Sequence, residues 1–119
     1  MVRDWELVRK ILTVIEARET THGALAPESI EDYESSIVSY HFYIMHEAGL
    51  IEAKCIKSAN TPIFCLASLL TWEGHEFLDK IRSETVWAKV KSTIKGKGLD
   101  LSFEVIKITA ATVIESLLK

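Results

Sequence analysis

The apolar residues of this chain change their spacing at Gly49, and that change restricts the folds that the sequence can adopt. Before Gly49, residues 4–18 and 36–48 carry apolar side chains at the three- and four-residue spacing of amphipathic helices. Asp4 can cap the first helix, and the apolar face of the second is expected to consist of Ile37, His41, Ile44, Met45 and Ala48. After it, residues 50–57 alternate apolar and polar side chains, which is the pattern of a β-strand. Helices often end at a glycine, because the backbone there adopts a left-handed conformation. The sequence therefore predicts a helix that runs directly into a strand.

Two strand-like segments flank a run of turn residues and predict a β-hairpin. Residues 58–62 have turn chemistry, and residues 63–70 are apolar and suited to a strand. Cys55 and Cys65 stand about equally far from the turn, so we expect them on one face of the two strands. Two cysteines are too few for a disulfide scaffold. In a reducing compartment we expect both to be free thiols that act as small core residues, with a redox switch or a shared metal as the alternatives.

Three further helices are predicted after the hairpin. The first begins after Thr71, which is a good N-cap, the second begins at Ser83 or Glu84 and ends near Gly96, and Ser102 caps the third. The residues expected on the apolar sides of the first and third helices are Trp72, Phe77, Leu78 and Ile81, and Phe103, Ile106, Ala110, Val113, Ile114 and Leu117.

The order of the predicted elements is that of a winged helix-turn-helix. A short helix that opens at Pro27 lies between the helices at 4–18 and 36–48, and the hairpin follows as the wing. The fold class is therefore mainly α with a small β-hairpin and added C-terminal helices. We expect a winged-helix domain over residues 1–82 and a helical extension over residues 83–119, packed together as one structural unit.

Charge is unevenly distributed along the chain. The formal net charge is −3, which argues against a strongly electrostatic nucleic-acid binder, because phosphate affinity comes mainly from Lys and Arg. Residues 16–52 contain eight acidic side chains and one basic, whereas residues 80–97 contain six basic and one acidic. The chain has no apolar segment of the roughly 20 residues that cross a membrane and no signal-peptide pattern. A cytoplasmic protein without membrane contact is expected.

Several segments resemble known families. Residues 36–51 are similar to the recognition helix and strand entry of many bacterial winged-helix regulators. Nearly the whole chain resembles domain of unknown function 2513, a family of bacteria and their phages. The segments that carry this resemblance are Arg3-Asp4, Leu7 to Leu12, Tyr40-His41, Ala48 to Ile51, Leu70 to Asp79, Arg82 and Val86 to Lys91, of which Leu70 to Asp79 is the most specific. The resemblance implies a winged-helix fold and a phage, mobile-element or host-defence setting, but no activity.

Two functional hypotheses follow from the predicted recognition helix. The first is a DNA-associated regulator of phage or mobile-element type, in which outward residues of the helix, the wing and a basic stretch contact duplex DNA. Its candidate contacts are Ser36, Ser39, Tyr40, Tyr43, Lys54, Lys57, Lys89, Lys91 and Lys95. The second is a protein–protein interaction module that uses the winged helix and the last helix as docking or dimerisation surfaces. No Lys or Arg lies between Arg18 and Lys54, which weakens the case for specific base recognition.

Residues that could suggest catalysis or metal binding have simpler explanations. His41 lies on an apolar helix face and is expected to be a packed, hydrogen-bonded core residue. His75-Glu76 with Asp79 lacks the second histidine of a zinc-protease helix, and the basic stretch is by default a solvated helix face. We therefore expect no catalytic site, no metal and no cofactor, and we do not expect an enzyme.

Val105 and Ile108 lie outside the predicted apolar stripe of the last helix. Residues spaced i and i+3 are neighbours on a helix surface, so the two form a small apolar patch. We expect this patch to mediate a homodimer, because twofold pairing is the commonest oligomeric arrangement. Coverage by the turn at residues 99–101 is the alternative.

Overall fold

The computed structural model describes residues 1–119 and consists of five α-helices, one short 3-10 turn and one β-hairpin. In chain order these are α1 (Trp5–Ala17), the 3-10 turn (Pro27–Ser29), α2 (Ser35–Glu47), β1 (Ile51–Ser58), β2 (Thr61–Leu70), α3 (Trp72–Ile81), α4 (Glu84–Gly96) and α5 (Phe103–Leu117). The prediction of a mainly helical fold with an antiparallel hairpin is confirmed. None of the helices is both long and apolar enough to cross a membrane.

The chain forms two compact units, residues 1–75 and residues 76–119, so the division falls inside α3. This point lies before the boundary that the sequence predicts at residue 82. The packing of the two predicted parts as one structural unit stays a prediction.

Helix α1 forms for the reasons that the sequence suggests. The Asp4 carboxylate accepts hydrogen bonds from the N–H groups of Glu6 and Leu7, so it satisfies two donors that the helix itself leaves unpaired. Its buried residues recur at helical spacing and form one apolar face, which consists of Trp5, Leu7, Val8, Ile11, Leu12 and Ile15. Burial of such a face, more than helix propensity, stabilises a helix of this length.

The buried face of α2 differs from the predicted one. Its buried residues are Val38, Ser39, His41, Phe42 and Met45. Ile37 and Ile44, which were predicted to face inward, are only half-buried, and Ala48 is exposed. The prediction was wrong at these positions because two overlapping stripes of α2 are apolar, and the contacts of α2 with β1, β2 and α1 determine which one is buried.

Gly49 connects α2 to β1, as the change of spacing predicts. Its φ of +79° lies in the left-handed region, where a side chain is strained. The N–H groups of Gly49 and Leu50 donate to the carbonyls of His46 and Met45, each at 3.0 Å. These bonds satisfy carbonyl groups at the helix end while the chain turns into the strand.

Strand β2 has partners on both of its edges. It pairs antiparallel with β1, with irregular register between Glu52 and Ala53 and again near the turn. On its other edge, Leu25 forms an isolated bridge with Ala67 through backbone hydrogen bonds of 2.6 and 3.1 Å. Strand β1 has β2 as its one strand neighbour. Backbone hydrogen bonds therefore hold β2 on two edges and β1 on one.

Cys55 and Cys65 lie opposite each other in the hairpin and form a disulfide. Their predicted placement in the two strands is confirmed, whereas the prediction of two free thiols is wrong. The reason is the register, which brings the two Cα atoms to 4.1 Å. Cross-strand neighbours at such a separation present their side chains to each other on one face of the hairpin.

The start of α3 is fixed by Thr71 and Gly74. The Thr71 hydroxyl accepts a hydrogen bond from the Gly74 N–H at 3.0 Å and donates one to the Gly49 carbonyl, which confirms the predicted cap. The Thr71 N–H donates to the Leu50 carbonyl at 3.0 Å. Gly74 lies so close to this carbonyl that a Cβ would be 2.0 Å from its oxygen.

Trp72 does not belong to the apolar side of α3. It is 77% exposed, whereas Phe77, Leu78 and Ile81 are buried. At about 100° per residue, Trp72 lies roughly half a turn away from the centre of these three residues. The prediction that Trp72 faces inward is therefore wrong.

Helices α4 and α5 pack against each other within residues 76–119. The hydroxyl groups of Ser83 and Ser102 accept hydrogen bonds from the N–H groups of Val86 and Val105, each at 3.3 Å. The predicted cap at Ser102 is therefore confirmed, and of the two predicted starts of α4 the structure has Glu84, with Ser83 as its cap. Gly98, with φ +71°, follows the end of α4. The buried residues of the pair are Val86, Trp87, Val90 and Ile94, and Ile106, Ala110 and Val113.

Candidate interaction surface

The outward side of α2 carries three of the four helix residues that were predicted to contact a partner. Ser36, Tyr40, Tyr43 and Glu47 follow one another at intervals of four, three and four residues, so they line up on one side of the helix. We call these four residues the α2 stripe. The first three are half-buried and Glu47 is exposed. The stripe contains no cation.

Ser39 is not part of the α2 stripe. It is only 2% exposed, and its hydroxyl accepts a hydrogen bond from the Cys65 N–H at 3.2 Å. This bond ties α2 to β2 inside the core. The prediction that Ser39 faces outward is wrong, because its position on the helix faces the hairpin.

Lys57 brings a positive charge from the hairpin to the α2 stripe. Its ammonium group donates a hydrogen bond to the Tyr43 hydroxyl at 2.6 Å and lies 4.3 Å from the centre of the same ring. The hydrogen bond to Tyr43 raises the pKa of Lys57, so the ammonium stays charged at neutral pH. Lys57 and Tyr43 are thus two predicted site residues that the structure brings into contact.

The opposite face of the hairpin exposes an apolar pair that sequence analysis missed. Ile56 and Phe64 pair across the strands, and 68% and 43% of their surfaces are exposed. Lys54, which pairs with Leu66 one step further along, shares their face because side chains alternate along a strand. Lys54 therefore lies away from the α2 stripe. The sequence contained this information, because side chains alternate along a strand: Ile56 is two residues from Lys54 and shares its face, whereas Cys55 lies on the other face.

His41 is a core residue, as predicted. Its Nε2 accepts a hydrogen bond from the Asp4 N–H at 2.9 Å, so Nδ1 carries the proton and donates to the Ile37 carbonyl at 2.9 Å. Burial lowers the pKa of His41, which favours the neutral ring. Backbone groups form hydrogen bonds with both ring nitrogens, so the His41 side chain links the start of α1 to α2.

The basic residues Lys89, Lys91 and Lys95 all lie on α4, in the unit that does not contain the α2 stripe. Lys91 is half-buried with its ammonium 5.4 Å from the centre of the Trp87 ring. Lys91 and Lys95 line one shallow groove, whereas Lys89 points about 120° away from Lys95 at helical spacing. The three lysines therefore do not form one compact cluster.

A pocket of about 260 Å³ with a mixed polar and apolar lining lies between the end of α1, the end of β2 and the start of α3. His75 Nδ1 is 3.8 Å from a carboxylate oxygen of Glu16. The Arg18 guanidinium donates to the carbonyls of Ser68 and His22 at 2.8 and 3.0 Å, so it braces the surrounding backbone. No group of three or more His, Cys, Asp or Glu side chains in the structure is placed to hold a metal ion.

The predicted patch on α5 is open to solvent in part. Ile108 is 65% exposed and Val105 is half-buried. Both line a groove of about 290 Å³ that also includes Leu99 from the preceding turn. The turn thus reaches the patch without covering Ile108. Leu117, which was predicted to face inward, is 50% exposed in the last turn of α5, so the predicted stripe is wrong at that end.

Comparison with known proteins gives one family. The family model described as hypothetical protein (DUF2513) matches residues 2–100. An uncharacterized protein of Haemophilus influenzae is 48% identical over 118 residues, which cover 99% of this chain and 99% of that protein. No solved structure matches the chain.

Proposed function

The chain belongs to the family described as hypothetical protein (DUF2513), and we propose that it is a non-enzymatic winged-helix module that docks onto another protein through the α2 stripe. The observation that carries this proposal is the composition of the stripe, which consists of two tyrosines, a serine and a glutamate. This choice favours the second of the two hypotheses drawn from the sequence.

The order of elements supports a winged-helix arrangement. Helix α1, the 3-10 turn, α2 and the hairpin follow one another as the helices and wing of that fold do, and an isolated bridge joins Leu25 to Ala67 at the other edge of β2. In winged-helix proteins that bind DNA, the helix before the hairpin contacts the partner. This analogy locates the docking surface on α2, but the side chains must decide which partner it fits.

The charge of residues 1–75 is unfavourable for DNA. Six side chains there are basic and eleven are acidic, so the formal net charge is −5. The basic ones are Arg3, Arg9, Lys10, Arg18, Lys54 and Lys57, and the acidic ones are Asp4, Glu6, Glu16, Glu19, Glu28, Glu31, Asp32, Glu34, Glu47, Glu52 and Glu73. A DNA phosphate backbone approaching α2 would meet net repulsion.

The number of available cations limits the electrostatic part of DNA affinity, which is measured by how strongly affinity depends on salt. Lys54 and Lys57 are the hairpin's cations, and each phosphate contact adds about −0.9 to the slope of log affinity against log salt. Two contacts give a slope of about −1.8, equivalent to roughly a tenfold loss of affinity between 50 and 200 mM salt. Typical DNA-binding proteins with 6–10 phosphate contacts lose roughly a thousandfold or more.

Tyrosines on a partly exposed helix face are well suited to protein recognition. Each tyrosine combines a large apolar ring with a hydroxyl group, and Tyr is enriched at the energetic centres of protein interfaces. Ile37 and Ile44 are half-buried beside Tyr40 and enlarge the apolar area. Because both rings start from a rigid helix, little conformational entropy is lost on docking.

The titratable groups support a non-enzymatic function. His41 has a lowered pKa, but it is buried and engaged by backbone on both ring nitrogens. Its side chain is 0% exposed, so it does not reach a substrate in solution. A general acid or base must lie within hydrogen-bond reach of the group that it protonates.

A DNA-associated regulator is the second candidate, and one observation favours it. The contact between Lys57 and Tyr43 places a charged group from the wing beside the α2 stripe, where it could hold a phosphate next to the groove. Lys89, Lys91 and Lys95 would have to add phosphate contacts from the other unit.

Self-association through α5 is part of the proposal. The exposed Ile108 and the adjacent groove lined by Val105 and Leu99 provide a projection and a recess on the same surface, which a twofold axis can pair with a second copy. A cytoplasmic location is proposed with it.

Binding to DNA distinguishes the two candidates. Fluorescence anisotropy with a random-sequence duplex should give a Kd weaker than about 100 µM at 200 mM salt, since that is the weak end of non-specific binding. The matched variants are Lys54→Glu with Lys57→Glu, Lys89→Glu with Lys95→Glu, and the control Lys119→Glu. Submicromolar binding at 200 mM salt that either double variant abolishes, and that the control retains, would favour the DNA regulator instead.

A further inference from the structure

We propose that the disulfide between Cys55 and Cys65 is a thiol–disulfide exchange site that reacts with low-molecular-weight thiols at Cys55 and controls the order of the outer half of β1. The site lies in the hairpin, and the proposal holds whichever partner the α2 stripe binds.

The two cysteine residues differ in exposure. Cys65 is 0% exposed, and its N–H group is held by the hydroxyl of buried Ser39. Cys55 is half-buried and directly precedes the exposed Ile56. Because exchange requires a thiolate to approach one sulfur along the disulfide axis, access selects the attacked atom. The geometry therefore favours attack at Cys55, with Cys65 as the leaving group.

The two strands also differ in how they are held. Strand β2 is bonded to Leu25 through Ala67 and to α2 through Cys65. Beyond Cys55, β1 is held by its pairing with β2, which is irregular between Ile56 and Ser58, and by the contact of Lys57 with Tyr43. The disulfide is the covalent link at the point where this weaker segment begins.

The exchange proceeds in two steps with no other reactant than two thiols. The first external thiolate forms a bond to Cys55 Sγ, the disulfide bond breaks, and Cys65 leaves as a thiolate that takes up a proton. A second thiolate attacks the external sulfur of the mixed disulfide and releases Cys55 as a thiolate, which is also protonated. The protein gains two electrons, and the two external thiols are oxidised to one disulfide.

Reduction should loosen the outer half of β1 and leave β2 in place. Ile56 would no longer be held opposite Phe64, and Lys57 would lose its fixed position beside Tyr43. Both exposed features of the hairpin described above therefore depend on the oxidation state of one bond.

The first test measures which cysteine sulfur a small reactant can reach, through the rate at which each cysteine alone forms a mixed disulfide. The folded single variants Cys65→Ser and Cys55→Ser are incubated with oxidised glutathione, and the mixed disulfide is followed by mass spectrometry. The Cys65→Ser protein, which retains Cys55, should react roughly tenfold faster or more, because access governs the rate. In concentrated guanidinium the two rates should become similar. Equal rates in the folded proteins would overturn the assignment of Cys55.

The second test uses the wild-type protein, so it does not depend on a variant folding. Hydrogen exchange of backbone amides is compared between the oxidised protein and the protein reduced with a small dithiol. Amides of residues 55–58 should exchange faster after reduction, while those of residues 41–45 in α2 keep their protection. Unchanged exchange in the hairpin would show that the disulfide does not control the order of this segment. Loss of protection throughout residues 1–75 would show that its effect is not confined to the segment, and either result would overturn the proposal.

Discussion

Replacing Gly74 with alanine tests the close packing at the start of α3. A Cβ at this position would lie 2.0 Å from the Leu50 carbonyl oxygen, which is backbone and cannot rotate away. The same carbonyl accepts the Thr71 N–H at 3.0 Å. Relief of the clash must therefore move α3 away from the α2–β1 junction and weaken that hydrogen bond.

The expected change in the free energy of unfolding is the sum of one stabilising and two destabilising contributions. Alanine in place of a helical glycine normally stabilises by about 1 kcal/mol. Overpacking against a fixed backbone costs roughly 1–3 kcal/mol, and the weakened hydrogen bond costs about 1 kcal/mol more. The clash outweighs the propensity gain, so we expect Gly74→Ala to lower the free energy of unfolding by about 2 kcal/mol, or the Tm by roughly 8 °C.

Gly96→Ala is the matched control. Gly96 is also a helical glycine, but a Cβ there would meet nothing within 4 Å. It should be neutral or stabilising by up to about 1 kcal/mol. Urea unfolding followed by circular dichroism, with the disulfide kept oxidised in all proteins, measures both variants. A Gly74→Ala protein that is as stable as Gly96→Ala would refute the packing argument.

Two further predictions concern His41 and α5. Burial lowers the pKa of His41 below its ordinary value of 6.5, so between these two pKa values the unfolded chain binds a proton that the folded chain does not. The contribution of neutral His41 to the free energy of unfolding is therefore fully present above pH 6.5 and is lost as the pH falls towards the folded pKa. Urea unfolding at a series of pH values should show this loss in the wild type and a flatter profile in His41→Gln, and identical profiles would contradict it. For α5, sedimentation should show a wild-type dimer that Val105→Glu with Ile108→Lys converts to a monomer. A monomeric wild type, or a dimer that survives the double substitution, would rule out this interface.

Much of the fold could be predicted because its signals are local. The caps at Asp4, Thr71 and Ser102 depend on hydrogen bonds within one helical turn, and each forms as expected. Gly49 marks the change from helix to strand for an equally local reason, its left-handed backbone. Such features depend on neighbours in sequence, which the sequence displays directly.

The errors occur where distant segments determine the outcome. Helix α2 has two apolar stripes, and its packing against the hairpin places Ser39 inside and leaves Ile44 half-buried. The disulfide depends on the exact strand register, which places Cys55 opposite Cys65. A one-residue shift of register would have turned one of them to the other face.

Trp72 is a different kind of error, because the sequence contained the information. Its angular position on α3 is opposite to that of Ile81, so projection alone indicates an outward side chain. The apolar character of tryptophan outweighed its position in the prediction. Exposed Ile56 was missed in the same way, since alternation along β1 places it with Lys54.

The most direct test of the proposed function is photo-crosslinking from the α2 stripe. A benzophenone amino acid is introduced in place of Tyr40 and, as a control, in place of the exposed Thr13 on α1, and cells that produce each protein are irradiated. Docking through the stripe predicts a protein adduct from position 40 that resists nuclease, is lost when Tyr43→Glu is added, and is missing from position 13. A nuclease-sensitive adduct at position 40, or equal adducts at both positions, would contradict the account.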